Sequence, residues 1–140
     1  MPSVVTNLAK ELMIGAISGS DLKIALLDGV VSADAGTLKD YNSWTDLSAF
    51  EITGTGYTSG GVNLSGLSAY SISSTDTAYF NGDSIIWNTV TISSYGYALY
   101  RSTSNLVVAI VQFSGNLPKV SISGPFSIAW NNNQILQMIG

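Results

Sequence analysis

Histidine and cysteine are both missing from this chain, and only 10% of its residues are charged. The first absence removes the usual proton shuttle near neutral pH, and the second removes the most nucleophilic side chain at that pH. Neither a disulfide framework nor a thiolate zinc site can be built. Charge is thin in both signs: nine acidic residues stand against five basic ones, for a net charge of −4. The cations Lys10, Lys23, Lys39, Arg101 and Lys119 are scattered. With no basic stripe to neutralise phosphates, nucleic-acid binding is not expected. The longest apolar runs, Leu106–Val111 among them, fall far short of the roughly 20 residues of a membrane helix, so no membrane contact is expected. No basic residue precedes Lys10, which is wrong for a secretory leader. The expectation is a soluble protein made in the cytoplasm, without a secretion signal of its own.

What is present is a Ser-, Thr-, Asn- and Gly-rich chain with 46% hydrophobic residues. A typical soluble domain is about one quarter charged. Exposed faces here must therefore be paved with small polar side chains or covered by neighbouring subunits. Such a surface desolvates cheaply, because little ionic hydration is lost on contact. A homo-oligomer or a component of a larger assembly follows. The length, 140 residues, fits a single domain over 1–140.

In residues 4–16 the apolar positions Val5, Leu8, Leu12 and Ala16 recur three or four apart. This predicts one short amphipathic helix, within a helical arm over 1–20, with Ser3 as N-cap. Leu22–Gly29 reads as a first strand ending in an Asp-Gly turn. Val30–Thr45 is polar and aperiodic, a long surface loop extending over 30–48 with one helical turn near Trp44–Leu47. From Phe50 onward the period is two. GTGYTSGG (54–61) implies a bulged turn where two backbones pass closely. Leu67–Ser73 alternates, and Val90 and Ile92 alternate with Thr89, Thr91 and Ser93. Asn81-Gly82 signals a type I′ hairpin, and Ser102–Asn105 joins Tyr95–Arg101 to Leu106–Phe113 in another. Leu106–Phe113 is apolar on both faces, so it should be a central or interface strand. Val120 and Ile122, then Phe126, Ile128 and Trp130, continue the pattern, and Ile135, Leu136 and Met138 close it. The fold class expected is mainly β: an antiparallel β-sandwich or squashed barrel with one short N-terminal helix.

Chemistry-bearing constellations are sparse. A glycosidase needs two carboxylates facing each other across a sugar-sized gap, and Glu51, Asp76 and Asp83 show no spacing that marks such a pair. Asp83 reads as a turn residue, and Glu51 as a solvated or hydrogen-bonded strand residue. The 54–61 glycines lack the spacing and the Lys-Ser/Thr pair of a phosphate loop. No acidic cluster of EF-hand type is present. We expect no catalytic, cofactor or metal site. Aromatic side chains can serve as a sugar platform, as interface anchors or as core. Trp87 and Trp130 fall in alternating strands and read as core. Tyr95 and Tyr97 point the same way from one strand, as a binding stripe or a packed layer. Leu8, Leu12, Tyr41, Trp44, Tyr57, Tyr95 and Tyr97 are the candidate partner interface.

The ordered series LAKELMIGAISG with LKIALLDG, SWTDLSAFEITGTGYTSGGVNLSG, DSIIWNTVTISSYGYALYR, LVVAIVQFSG and FSIAWNNNQILQM resembles small virion structural proteins of tailed bacteriophages. FEITGTGYTSGG is its most specific element, and the series runs over nearly the whole chain. The resemblance implies a non-enzymatic virion protein, first a capsid cement or decoration protein bridging capsid subunits. Its partners would be the major capsid protein or other virion proteins, and its expected oligomer a trimer. The alternative it implies is a tail, head–tail connector or fibre-associated protein with a receptor- or glycan-binding role. The chain departs from that pattern in its uncharged tail, NNNQILQM, which suggests a C-terminus buried against a neighbour.

Overall fold

The computed structural model describes Thr6 and residues 22–28, 41–72, 74, 77–113, 117–130 and 134–139. Apart from Thr6, the predicted helix over 4–16, with Leu8 and Leu12, lies outside them, as do Asp76 and the first part of the 30–48 loop. In chain order the elements are β1 (Leu22–Leu27), α1 (Trp44–Leu47), a 3-10 turn (Ser48–Phe50), β2 (Val62–Asn63) and β3 (Ser68–Ile72). They continue with β4 (Thr77–Asn81), β5 (Ile85–Ser94), β6 (Gly96–Arg101), β7 (Val107–Gln112), β8 (Lys119–Ile128) and β9 (Gln134–Ile139). The fold is mainly β, with one short α-helix and no closed barrel among the described residues. The chain divides into two compact units, Asp21–Asn63 with Ile86–Ser127, and Met1–Ser20 with Leu64–Ile85 and Ile128–Gly140.

The first unit holds a four-stranded sheet in the order β2-β1-β6-β7 and the β5-β8 ribbon. β1 reads LKIALL and is buried at every position but Lys23, as expected of a strand flanked on both sides. It pairs antiparallel with β6 from Leu22↔Arg101 to Leu27↔Gly96. The β6-β7 hairpin turns at Ser102–Asn105 as predicted, with a register shift at Leu99/Tyr100. Alternation along β5 buries Trp87, then Val90, Ile92 and Ser94, while Thr89, Thr91 and Ser93 face out. A line of rings joins the two layers. Tyr97 of β6 lies 6.2 Å from Phe113, Phe113 6.3 Å from Phe126 of β8, and Phe126 5.9 Å edge-on to Trp87 of β5. Such tilted and edge-to-face pairs add to area burial.

In the other unit β4 is the centre of a three-stranded sheet, β3-β4-β9. The register runs Ala69↔Phe80 on one side and Phe80↔Leu136 on the other, with a bulge at Phe80/Asn81. Ala78 and Phe80 are fully buried.

Two expectations need correction. Asn81-Gly82 is not a type I′ hairpin: neither residue has the positive φ that turn demands, and β5 pairs with β8 instead of β4. Leu106–Phe113 is not a central strand, because β7 ends its sheet among the described residues. The described part of the 30–48 loop is largely exposed and is tied to the sheet beside it. Ser43 bridges Leu106, and Leu47 is buried with Leu27 and Ala98 under Tyr41, Trp44 and Phe50. The one-turn helix stands where predicted, with Ser43 Oγ accepting from Thr45 N–H at 3.2 Å.

Candidate functional site

The richest polar arrangement in the described residues surrounds Glu51. The 50–52 segment lies antiparallel beside the end of β1: Asp28 N–H donates to Phe50 O and Ile52 N–H to Leu26 O. β2 covers only Lys23 and Ile24, which leaves the Leu26 N–H without a strand partner. Tyr57 fills that place, its hydroxyl accepting from Leu26 N–H at 2.9 Å and donating to Glu51 Oε1 at 2.7 Å. The same carboxylate oxygen accepts from Gly60 N–H at 2.6 Å, and Tyr100 donates its hydroxyl to Gly60 O at 2.6 Å. Trp44 stacks on Tyr100 with centroids 4.3 Å apart.

The glycines explain why this loop can lie so close to the sheet. Gly61, at φ +78°, passes against Ile24 O so tightly that a Cβ would collide with it. Gly54 and Gly56 lie somewhat less tightly on the Thr91 and Thr89 carbonyls of β5, where a Cβ would still collide. The loop also extends β5 locally, through Thr91 N–H to Thr55 O at 3.0 Å. The close backbone passage is therefore what 54–61 forms, with turns closed by Tyr57 N–H on Gly54 O and Gly61 N–H on Thr58 O.

Burial above all, with the nearby Glu51 charge, raises the Tyr57 and Tyr100 phenols above their ordinary 10.0. Both sides of the Tyr57 hydroxyl are committed within the chain. Glu51 is a clamp on its own loop, the hydrogen-bonded role open to it from the sequence. Asp83 ties together two segments 18 residues apart: Ser65 Oγ donates to its Oδ2 at 3.2 Å, and its N–H donates to Ser65 O. Among the described residues no group of three or more acidic side chains is placed to hold a metal ion.

Of the predicted aromatic interface, the structure brings Tyr41 and Trp44 onto one core cluster. Tyr97 is buried in the ring line. Tyr57 is half-buried in the Glu51 clamp, 6.1 Å from Trp87. Tyr41 meets Phe50 edge-on at 5.8 Å. Tyr95 sits at the bend before β6, its N–H on Leu27 O, so it does not share a strand with Tyr97. Trp44 remains half-buried on Tyr100. What sequence reasoning missed is apolar: Ile86, Leu117, Val120 and Ile122 are exposed by 59, 69, 56 and 76%. The alternation of Val120 and Ile122 with Ser121 was visible, but which face looked inward was not.

No protein-family model, no curated protein and no solved structure matches this chain. No helix among the described residues is long and apolar enough to cross a membrane.

Proposed function

We propose that this chain is a non-enzymatic structural protein of a phage virion, a cement or decoration protein that attaches to the head and bridges capsid subunits. The observation that carries the reading is the outward placement of Val120 and Ile122 on β8 and of Ile86 on β5. Large β-branched side chains stand in water there, on strands whose other exposed positions are mostly Ser, Thr and Asn. Exposed apolar strand positions of that kind lose little hydration on contact and gain apolar burial. Repeated over a lattice, modest single contacts give tight holding through effective concentration.

The resemblance of the segment series to small virion proteins supports the same reading, and so does the self-satisfied polar network. Tyr57, Glu51 and Tyr100 spend their hydrogen bonds on one another and on the backbone. A glycan-binding role draws less support, because Tyr57, Trp87 and Tyr97 direct their rings into the unit. The test is addition of purified protein to heads of the encoding phage assembled without it. Saturable binding and higher resistance of the heads to heat support the proposal. Heads that neither bind the protein nor gain stability refute it.

A further inference from the structure

We propose that Lys119 is a positioning residue for the attachment face: it closes a hairpin within β8 that turns Val120, Ile122 and Pro125 outward together. The argument begins with reach. Lys119 Nζ donates to Ser127 O at 2.6 Å and lies 4.8 Å from the centroid of the Phe126 ring. Lys119 and Ser127 are 8 residues apart, which in extended chain is roughly 26–29 Å. No lysine side chain spans that, so the segment reverses between them. Burial requires the same reversal. In one straight strand Ile122 and Phe126 would share a face, yet Ile122 is 76% exposed and Phe126 1%. A turn at Ser123-Gly124 removes the conflict. It sets Ser121 opposite Phe126, both buried, and Val120 and Ile122 opposite Ser127 and Pro125, all exposed.

The turn is strained and is held in place. Ser123 has φ 49°, the positive φ that a two-residue hairpin loop demands at its first position. A residue with a Cβ takes that conformation at a cost, and strain kept by its surroundings is a mark of functional segments. Three hydrogen bonds oppose it: Ser123 N–H to Thr91 Oγ1 at 3.0 Å, Ser121 Oγ to Pro125 O at 3.0 Å, and Lys119 Nζ to Ser127 O. Of these the Lys119 bond is charge-assisted. The same ammonium lies over Phe126 and, at 5.9 Å, over Phe113, so it ties the hairpin to the ring line as well. Lys119 is the only charged residue after Arg101, and its charge is spent within the hairpin. A face fixed before contact loses less conformational freedom on binding. Loosening the closure should therefore weaken attachment. The inference rests on the attachment reading for what the face meets, whereas the closure itself is measured in free solution.

The experiment compares the full-length wild type with Lys119→Met, which keeps the stem and removes the ammonium, and Lys119→Arg, which restores charge and donors. In the wild type, ring currents from Phe126 and Phe113 should move the Lys119 ε-methylene protons upfield in the NMR spectrum. Ordinary lysine shifts there overturn the closure without any substitution. Hydrogen exchange at the Ser123 amide should quicken about tenfold in Lys119→Met and stay close to wild type in Lys119→Arg. Unchanged exchange in Lys119→Met, or an equal loss in both variants, overturns the positioning role. Affinity for phage heads lacking the chain should follow the same order, weaker by about tenfold in Lys119→Met and restored in Lys119→Arg. Wild type that never binds heads overturns the attachment reading. Wild type that binds, with Lys119→Met binding equally well, overturns the inference about Lys119 alone.

Discussion

The Tyr57 hydroxyl stands in for a missing strand: it accepts from Leu26 N–H at 2.9 Å and donates to Glu51 Oε1 at 2.7 Å. Removing it leaves a backbone donor of β1 unsatisfied and a carboxylate short of one bond. Tyr57→Phe should therefore cost about 1–3 kcal/mol. Glu51→Gln keeps an acceptor oxygen for Tyr57 and Gly60 and should cost less than Glu51→Ala. Urea denaturation of the three variants reads the order directly.

Gly60 and Gly61 are adjacent and both have positive φ, yet they should respond differently. A Cβ at Gly61 would strike the Ile24 carbonyl and backbone, whereas one at Gly60 would rest 3.5 Å from Tyr100 Oη. Gly60→Ala should cost only the left-handed strain, about 1–2 kcal/mol. Gly61→Ala adds a clash with β1 that only movement of the loop relieves. It should lower the thermal midpoint clearly more, or prevent folding.

At the β6-β7 turn, Asn105 takes φ 65° and donates through Nδ2 to Ser43 Oγ, at 3.1 Å, and to Thr45 Oγ1. Asn105→Gly keeps the backbone conformation and loses the tie to α1, for about 1 kcal/mol. Asn105→Ala loses the tie and adds strain, so it should be the less stable variant in thermal melts.

The phenols set an alkaline limit. Below pH about 10 the folded and unfolded chains both keep these protons, and the buried phenols contribute fully to stability. As pH rises past 10 the unfolded chain releases protons that folded Tyr57 and Tyr100 retain, so stability falls. Denaturation from pH 8 to 11 should show this loss, and Tyr57→Phe should flatten it. A loss as steep in Tyr57→Phe as in wild type would remove Tyr57 from this role.

Strand positions were largely legible because alternation is a local signal. Leu22–Leu27, Val90 with Ile92 and the Ser102–Asn105 turn fall where the pattern puts them. The 54–61 glycines announced a close backbone passage. Partners were not legible. Asn81-Gly82 has hairpin chemistry, but the sheet in which the next strand pairs is decided by distant residues, and β5 goes to β8. A two-faced apolar run such as Leu106–Phe113 reads as central, and only the strand order shows it at an edge. The Glu51 clamp escaped for a similar reason. Its carboxylate meets Tyr57 and Gly60 six and nine residues on, and only the fold of the loop brings them together.

The central claim is attachment to a virion lattice, and stoichiometric binding to heads tests it most directly. On the proposed reading, purified chain should co-sediment with expanded phage heads that lack it, and binding should saturate at a fixed copy number per head. Val120→Asp with Ile122→Asp should lower the affinity at least tenfold while leaving the thermal midpoint close to that of wild type. Heads that sediment with no bound chain at saturating concentration would contradict the account.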